Sequence, residues 1–285
     1  MKKGSVIIAF YNDIKALKIV LDSLAAQFQG DFEVIIADDG SKEDVLPVLR
    51  ALLLTYPFPS KHIWQPDNGF RKTAVLNSAI LSAKTDHLIF LDADCVPQQH
   101  FVQDHLNDLQ PGLCQAGRRV DVFYNALDRL KKTEPSKYFS KHWLLFVAWS
   151  LSKKAKNVER GIRLSKHLTH RLKLKPWSIV GCNFSACKHD LLAINGFDER
   201  ASVPWGAEDS DIERRLLKAG VRIQGLRCQA PVIHFDASFT KRGKNLEADK
   251  ERLKIFLEAK AENRTWTRFG IIKEDRSDPV LYPLE

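Results

Sequence analysis

Residues 88–95, Leu-Ile-Phe-Leu-Asp-Ala-Asp-Cys, constrain the fold more than any other stretch of the chain. Four consecutive apolar residues between polar ones predict a strand buried on both faces, the habit of a parallel sheet. Parallel strands need crossover segments, usually helices, so the chain is expected to be α/β. Two carboxylates follow at i and i+2. Side chains alternate along an extended backbone, so Asp92 and Asp94 point to one side. Acids crowded at a strand end repel unless a cation sits between them. Oxygen ligands of this kind suit Mg²⁺ or Mn²⁺. Strand ends are also where α/β sheets hold ligands. An Asp-rich turn would explain the pair by itself, so its meaning depends on the rest of the chain.

The preceding residues supply the other strands. Residues 5–10 (Ser-Val-Ile-Ile-Ala-Phe) predict a buried strand. Asn12 or Asp13 can cap the helix that follows. Its apolar residues Ile14, Leu17, Val20, Leu21, Leu24, Ala25 and Phe28 recur at helical spacing, and Gly30 ends it. Residues 32–37 predict a second strand, closing on Asp38-Asp39-Gly40-Ser41. Strand, helix and strand within about 40 residues make a βαβ unit. A helix is expected over 45–54, a short strand over 62–64, a loop over 68–72 and a helix over 73–83. Tyr11 offers an aromatic face to a base, and the Arg71 guanidinium can fork onto a phosphate. Lys72 is less specific.

These features resemble glycosyltransferase family 2 enzymes of the GT-A fold. The resemblance is carried by Ile7-Ile8-Ala9-Phe10-Tyr11-Asn12, Ala37-Asp38-Asp39-Gly40-Ser41, Asn68-Gly69-Phe70-Arg71-Lys72 and Asp92-Ala93-Asp94, in that order. It implies one mixed, mostly parallel central sheet flanked by helices. It also implies a nucleotide-sugar site at Ala9, Phe10, Tyr11, Asp39, Asn68, Arg71, Asp92 and Ala93. Asp39, and less securely Asp38, would accept the uracil N3–H. Asp92 would meet the metal or the ribose, and Asp94 the metal.

From Arg118 to Pro176 the chain carries 16 Lys or Arg against 4 Asp or Glu, a surplus larger than the +9 of all 285 residues. Inside it, residues 143–149 (Trp-Leu-Leu-Phe-Val-Ala-Trp) are continuously apolar, with Lys141 before and Lys153-Lys154 after. That run is too short to span a bilayer. A basic stretch with aromatic and aliphatic residues suits an anionic membrane interface; packed on the domain, it would be an ordinary insertion with solvated charges. The segment is read as a basic helical insertion.

Beyond it, residues 177–186 predict a strand with Gly181 inside, where glycine lets a ligand approach closely. Helices are expected over 188–194, from Asp209 or Ser210 to about Gly220, and over 246–262. Strands are expected over 221–226 and 232–235. "GCNFSACKHDLLAINGFDE", "WGAEDSDIERRL" and "VIHF" resemble the galactosyltransferase-type region of animal β-1,4-galactosyltransferases, polypeptide N-acetylgalactosaminyltransferases and chondroitin-type polymerases. Those families have Trp-Gly-Gly-Glu-Asp where this chain has Ala207. By this resemblance Asp209 is the base and Glu208 its helper. Trp205, Gly206 and Glu208 would meet the acceptor, and His234 would join Asp92 and Asp94 on the metal. The acids at 208 and 209 would also favour a helix N-terminus. The division expected is a GT-A domain over 1–240 and a helical extension over 241–285. The domain comprises a nucleotide half (1–100), the insertion (about 118–176) and an acceptor half (177–240).

The activity implied is inverting, Mn²⁺- or Mg²⁺-dependent transfer of galactose or N-acetylgalactosamine from a UDP-sugar. The acceptor would be a cell-surface glycan or glycolipid. A nucleotidyltransferase would also use paired Asp and metal, but it expects a Gly-rich phosphate loop that residues 9–13 lack. A nucleic-acid-binding protein would fit the basic segment but leaves Asp92 and Asp94 unused, so no nucleic acid is expected. The five cysteines have no CxxC spacing, which indicates neither a zinc site nor a disulfide framework and fits a reducing cytoplasm. Without a secretory signal pattern or a spanning run, the chain is expected at the inner face of the cytoplasmic membrane.

Overall fold

The structure is a computed structural model. It describes residues 3–28, 31–164, 168–169, 178–200, 208–226, 228–236 and 246–273. Its centre is a seven-stranded sheet. β1 (Gly4–Phe10) pairs in parallel with β2 (Phe32–Asp38) on one side and β4 (His87–Asp92) on the other. β3 (Ser60–Trp64) continues the parallel run beyond β2. The helices α1 (Ile14–Ala25), α2 (Val45–Leu53) and α3 (Lys72–Ser82) make the crossovers. The strands are apolar on both faces because both faces are covered. In β1, Val6, Ile8 and Phe10 enter one core and Ile7 the other.

Past β4 the chain makes a short strand β5 (Cys95–Pro97), helix α4 (Phe101–Asp108) and strands β6 (Leu113–Ala116) and β7 (Arg119–Phe123). β6 and β7 are only two residues apart but belong to different sheets. β6 stays in the central sheet, where β9 (Asn183–Cys187) runs antiparallel between it and β4. β10 (Arg222–Gly225) closes the far edge, parallel to β6. The order is β10-β6-β9-β4-β1-β2-β3, a mixed, mostly parallel sheet.

A second sheet, absent from the sequence reading, has the order β5-β11-β7-β8, with β8 at Ala155–Lys156 and β11 at Val232–Asp236. The basic segment thus supplies strands as well as helix α5 (Tyr138–Leu151). Two helices flank the acceptor side: α6 (Lys188–Ala193) and α7 (Glu208–Lys218). α8 (Leu246–Ala261) follows. The strand expected over 177–186 shrinks to its C-terminal part. Residues 178–182 are not strand, because Gly181 there meets α7 rather than a neighbouring strand. Among the described residues no helix is long and apolar enough to cross a membrane.

Candidate active site

Three parallel strands end together. The register sets Ala9 opposite both Ala37 and Asp92. Beyond the ladder, the Asp39 N–H donates to Phe10 O (3.0 Å) and the Ala93 N–H to Ala9 O (3.0 Å). A cleft of about 410 Å³ opens over these ends. Of the residues singled out in the sequence, Ala9, Phe10, Tyr11, Asp39, Asp92, Ala93 and Asp94 line it. Asn68 and Arg71 do not line it, whereas Asp67, Phe70 and Lys72 do. The reason is local. The Arg71 backbone N–H donates to Asp39 Oδ2 (2.8 Å), so this residue serves through its main chain. The next residue opens α3 and turns its side chain inward. Trp205 and Gly206 lie outside the described residues.

Asp39 is 8% exposed and held by that N–H and by Gln65 Nε2 (2.6 Å). Burial pushes its carboxyl up, while these donors pull against the rise. Asp38 is turned away. It accepts from the Ser41 N–H (2.8 Å) and pairs with His62 (2.9 Å), which makes it a brace of the loop. Tyr11 is half exposed, and its hydroxyl donates to Asp67 Oδ2 (3.1 Å), which raises its pKa. Gly40 adopts φ +86°, and a Cβ there would run into the Asp67 backbone. Only glycine fits where these two loops press together.

Lys72 occupies the middle of the site. Its Nζ donates to Asp92 Oδ1 (2.6 Å). Burial opposes its charge, but Asp92, Glu208 and Asp209 raise its pKa above the usual lysine value. Lys72 therefore pairs with the donor-side acid and lies within electrostatic reach of the acids at the start of α7. Sequence reasoning ranked Lys72 below Arg71 because a loop lysine is usually solvated; its place beside a strand-end acid is a tertiary fact.

Asp209 Oδ1 is shut away from solvent. Burial, then the charge of Glu208, push its carboxyl up to about 7, against a backbone hydrogen bond from Gly181 and the charge of Lys72. A Cβ on Gly181 would strike Asp209 Oδ1. The glycine expected to admit a ligand in fact admits this carboxylate.

His234 sits on β11, with Nε2 3.2 Å from Asp94 Oδ2 and Nδ1 3.0 Å from Asp121 Oδ1. Burial alone would lower its pKa. The hydrogen bonds to Asp121 and Asp94 and the Asp94 charge override burial and bring it to about 10. Asp94 is lowered, the His234 hydrogen bond and charge outweighing burial. Asp121, not singled out in the sequence, orients the imidazole, as a carboxylate behind a ligating histidine commonly does. Asp94, Cys95 and His234 bring their ligand atoms within 4.8 Å of one another. A carboxylate and an imidazole facing each other fit a divalent cation, and Asp92 lies two residues from Asp94 on the cleft wall. Cys95 and Cys182 are buried free thiols: the Cys95 Sγ donates to Asp94 Oδ1 (3.5 Å), and the Cys182 Sγ accepts from the Arg119 guanidinium (3.5 Å).

The fold and the cleft define a GT-A glycosyltransferase. Residues 5–166 match the glycosyl transferase family 2 profile, and residues 163–237 match that of the N-terminal domain of galactosyltransferase. The chain belongs to glycosyl transferase family 2. It is 30% identical over 235 residues to the chondroitin synthase of Pasteurella multocida (strain Pm70), a match covering 76% of this chain and 23% of that one. The Escherichia coli chondroitin synthase is 30% identical over 241 residues, covering 76% and 32%. The hyaluronan synthase of P. multocida is 27% identical, covering 88% and 27%. The chain thus spans about a quarter to a third of the length of these relatives. Among solved structures, a Pyrobaculum calidifontis mannosyltransferase in complex with GDP-Man and Mn²⁺ superposes with TM-score 0.56 at 17% identity, covering 92% of this chain and 64% of that one. GalNAc-T7 with UDP, GalNAc and Mn²⁺ gives TM-score 0.59 at 15% identity, covering 83% and 44%.

Proposed function

We propose that the chain is an inverting, metal-dependent hexosyltransferase. It moves galactose or N-acetylgalactosamine from a UDP-sugar to a hydroxyl of a cell-surface glycan or glycolipid, at the inner face of the cytoplasmic membrane. The observation that carries this reading is the cleft over β1, β2 and β4, where Lys72 pairs with the strand-end acid Asp92 and feels the charges of Glu208 and Asp209. The solved GalNAc-T7, which holds UDP and Mn²⁺, supports the donor and the cation. The GalNAc held by the solved GalNAc-T7 supports the sugar class.

On this reading Tyr11 covers the uracil face and Asp39 accepts its N3–H. Lys72 balances the charge of the donor diphosphate once Asp92 engages the donor. Asp92, Asp94 and His234 would hold the Mn²⁺ or Mg²⁺, whose charge would steady the departing diphosphate. The acceptor hydroxyl gives its proton to Asp209 as its oxygen attacks the anomeric carbon. The bond from that carbon to the diphosphate oxygen breaks, and UDP leaves. Trp205 and Gly206 belong to the acceptor side by sequence position.

The test is UDP release from a panel of nucleotide sugars with Mn²⁺, before and after chelation. UDP-galactose or UDP-N-acetylgalactosamine should be the preferred donor, and chelation should abolish release. Undiminished release after chelation would overturn the metal dependence. A preference for GDP-sugars would overturn the donor.

A further inference from the structure

Helix α5 is apolar on two sides, and the protein covers one of them. Its inner side packs: Phe146 lies 5.0 Å from the Phe139 ring and 5.1 Å from the Trp149 ring, and Tyr138 meets Phe235 edge-on at 6.2 Å. Its outer side carries Trp143 (54% exposed), Leu144 (65%), Val147 (39%) and Leu151 (83%). Residues 143, 147 and 151 are spaced by four and share one face. Single exposed apolar residues need no explanation, but a contiguous stripe of large ones marks an interaction surface. A helix apolar all round is normally buried all round. Beside the stripe a groove of about 740 Å³ runs between α5 and residues 158–163, with Phe139, Val158 and Ile162 on its walls.

The ends of the stripe are basic. Lys141 precedes it, and Lys153 and Lys154 follow it, all exposed. Apolar side chains at the centre with lysines at both ends match the acyl and headgroup layers of an anionic bilayer, which take the two kinds of residue at different depths. A second copy of the chain fits less well. An isologous antiparallel pairing of two such helices would bring the lysines of opposite ends together.

We infer that the outer face of α5 docks on an anionic lipid bilayer, with Trp143, Leu144, Val147 and Leu151 entering the interface and Lys141, Lys153 and Lys154 meeting lipid phosphates. α5 rests on the small sheet that carries Cys95 and His234, so docking would hold the metal-binding side of the cleft at a fixed height above the membrane. This inference names the membrane-facing surface of the proposed transferase. It does not need the transfer reaction to be right, because it is tested without donor or acceptor.

The experiment is co-sedimentation of the full chain with vesicles of phosphatidylglycerol and phosphatidylcholine, and with phosphatidylcholine alone. Wild-type protein should bind the mixed vesicles, and less so as salt is raised. The double variant Leu144→Glu/Leu151→Glu should lose at least about tenfold in partitioning, because it removes apolar insertion and adds like charge to an anionic surface. Lys153→Glu/Lys154→Glu should bind less and show a flatter salt dependence. All four positions are exposed, so circular dichroism and melting temperature should match wild type. Equal partitioning of wild type and Leu144→Glu/Leu151→Glu would overturn the inference. So would a dimer by light scattering that Leu144→Glu/Leu151→Glu dissolves while vesicle binding is absent; the stripe would then be a contact between copies.

Discussion

Asp209 is the residue on which the proposed chemistry turns, and its environment makes that role measurable. Burial and Glu208 push its carboxyl up to about 7. Below that pH it keeps its proton and cannot take another. Above it the carboxylate is available, so kcat/KM should rise with pH through about 7 and then level off. Asp209→Asn should remove this limb and cut turnover by about 10²–10⁴-fold, the usual range for a lost general base. Initial rates across pH for wild type, Asp209→Asn and Glu208→Gln check both points. Near-normal turnover in Asp209→Asn with an inactive Glu208→Gln would move the base to Glu208. His234 gives a second residue-scale test. Its pKa of about 10 means it is protonated at neutral pH in the metal-free protein. A cation must displace that proton to bind Nε2, so Mn²⁺ binding should release about one proton per site at pH 7 and weaken as pH falls. Calorimetry in buffers of different ionisation enthalpy reads this directly, and His234→Ala should lose the release.

At the scale of elements, the acidic strand end was legible because it is local. A run of four apolar residues followed by Asp92 and Asp94 dictates both strand and turn, and β4 ends at Asp92 as expected. The second sheet was not legible. Its strands β5 and β8 span only Cys95–Pro97 and Ala155–Lys156, too short for alternation to show. Asp121 was missed, and Lys72 ranked below Arg71, because their partners, His234 and Asp92, lie far away in sequence. Gly181 was noticed for the right property, a missing side chain, but assigned to the wrong visitor. That correction yields a prediction. In Gly181→Ala the new Cβ meets Asp209 Oδ1, so the carboxylate must rotate away or α7 must shift. Turnover should fall severely, while affinity for UDP, proposed to sit at Tyr11 and Asp39 just beyond β1 and β2, should stay near wild type. Overpacking of this kind usually costs ~1–3 kcal/mol of stability. Kinetic constants with UDP titration separate the two effects; a matching loss of UDP affinity would mean that the damage spreads through the sheet.

For the whole molecule the question is what joins the nucleotide side to the acceptor side. The basic surplus that stands out in the sequence does not, since most of its lysines are exposed. The β9–β4 ladder of the central sheet joins them, and a pair of buried asparagines adds a second tie. Asn77 on α3 donates from Nδ2 to Phe197 O (2.9 Å) and accepts from the Phe197 N–H at Oδ1 (2.8 Å). Asn195 repeats the device two residues earlier. It donates to Thr267 O (2.7 Å) and accepts from the Ile272 N–H (2.7 Å), and so ties the segment after α8 to the same loop. An amide side chain carries its donor and its acceptor on separate atoms, so it can donate to a peptide C=O and accept from a peptide N–H at once. The loop it holds runs towards α7, the helix that carries Glu208 and Asp209. Asn77→Ala leaves both peptide groups of Phe197 without these partners in a buried place. Each such loss costs about 1–3 kcal/mol, so unfolding free energy should drop by ~2–6 kcal/mol. Asn77→Asp keeps the shape and the acceptor, but it loses the donor and sets a charge near Glu199, 3.1 Å from Nδ2 in the native protein; it should not rescue stability. If α3 and the 195–199 loop form one cooperative unit, denaturant unfolding of Asn77→Ala will remain a single transition at a lower midpoint with an unchanged slope. Two resolved transitions would mean that the two sides fold independently and that Asn77 is their main tie.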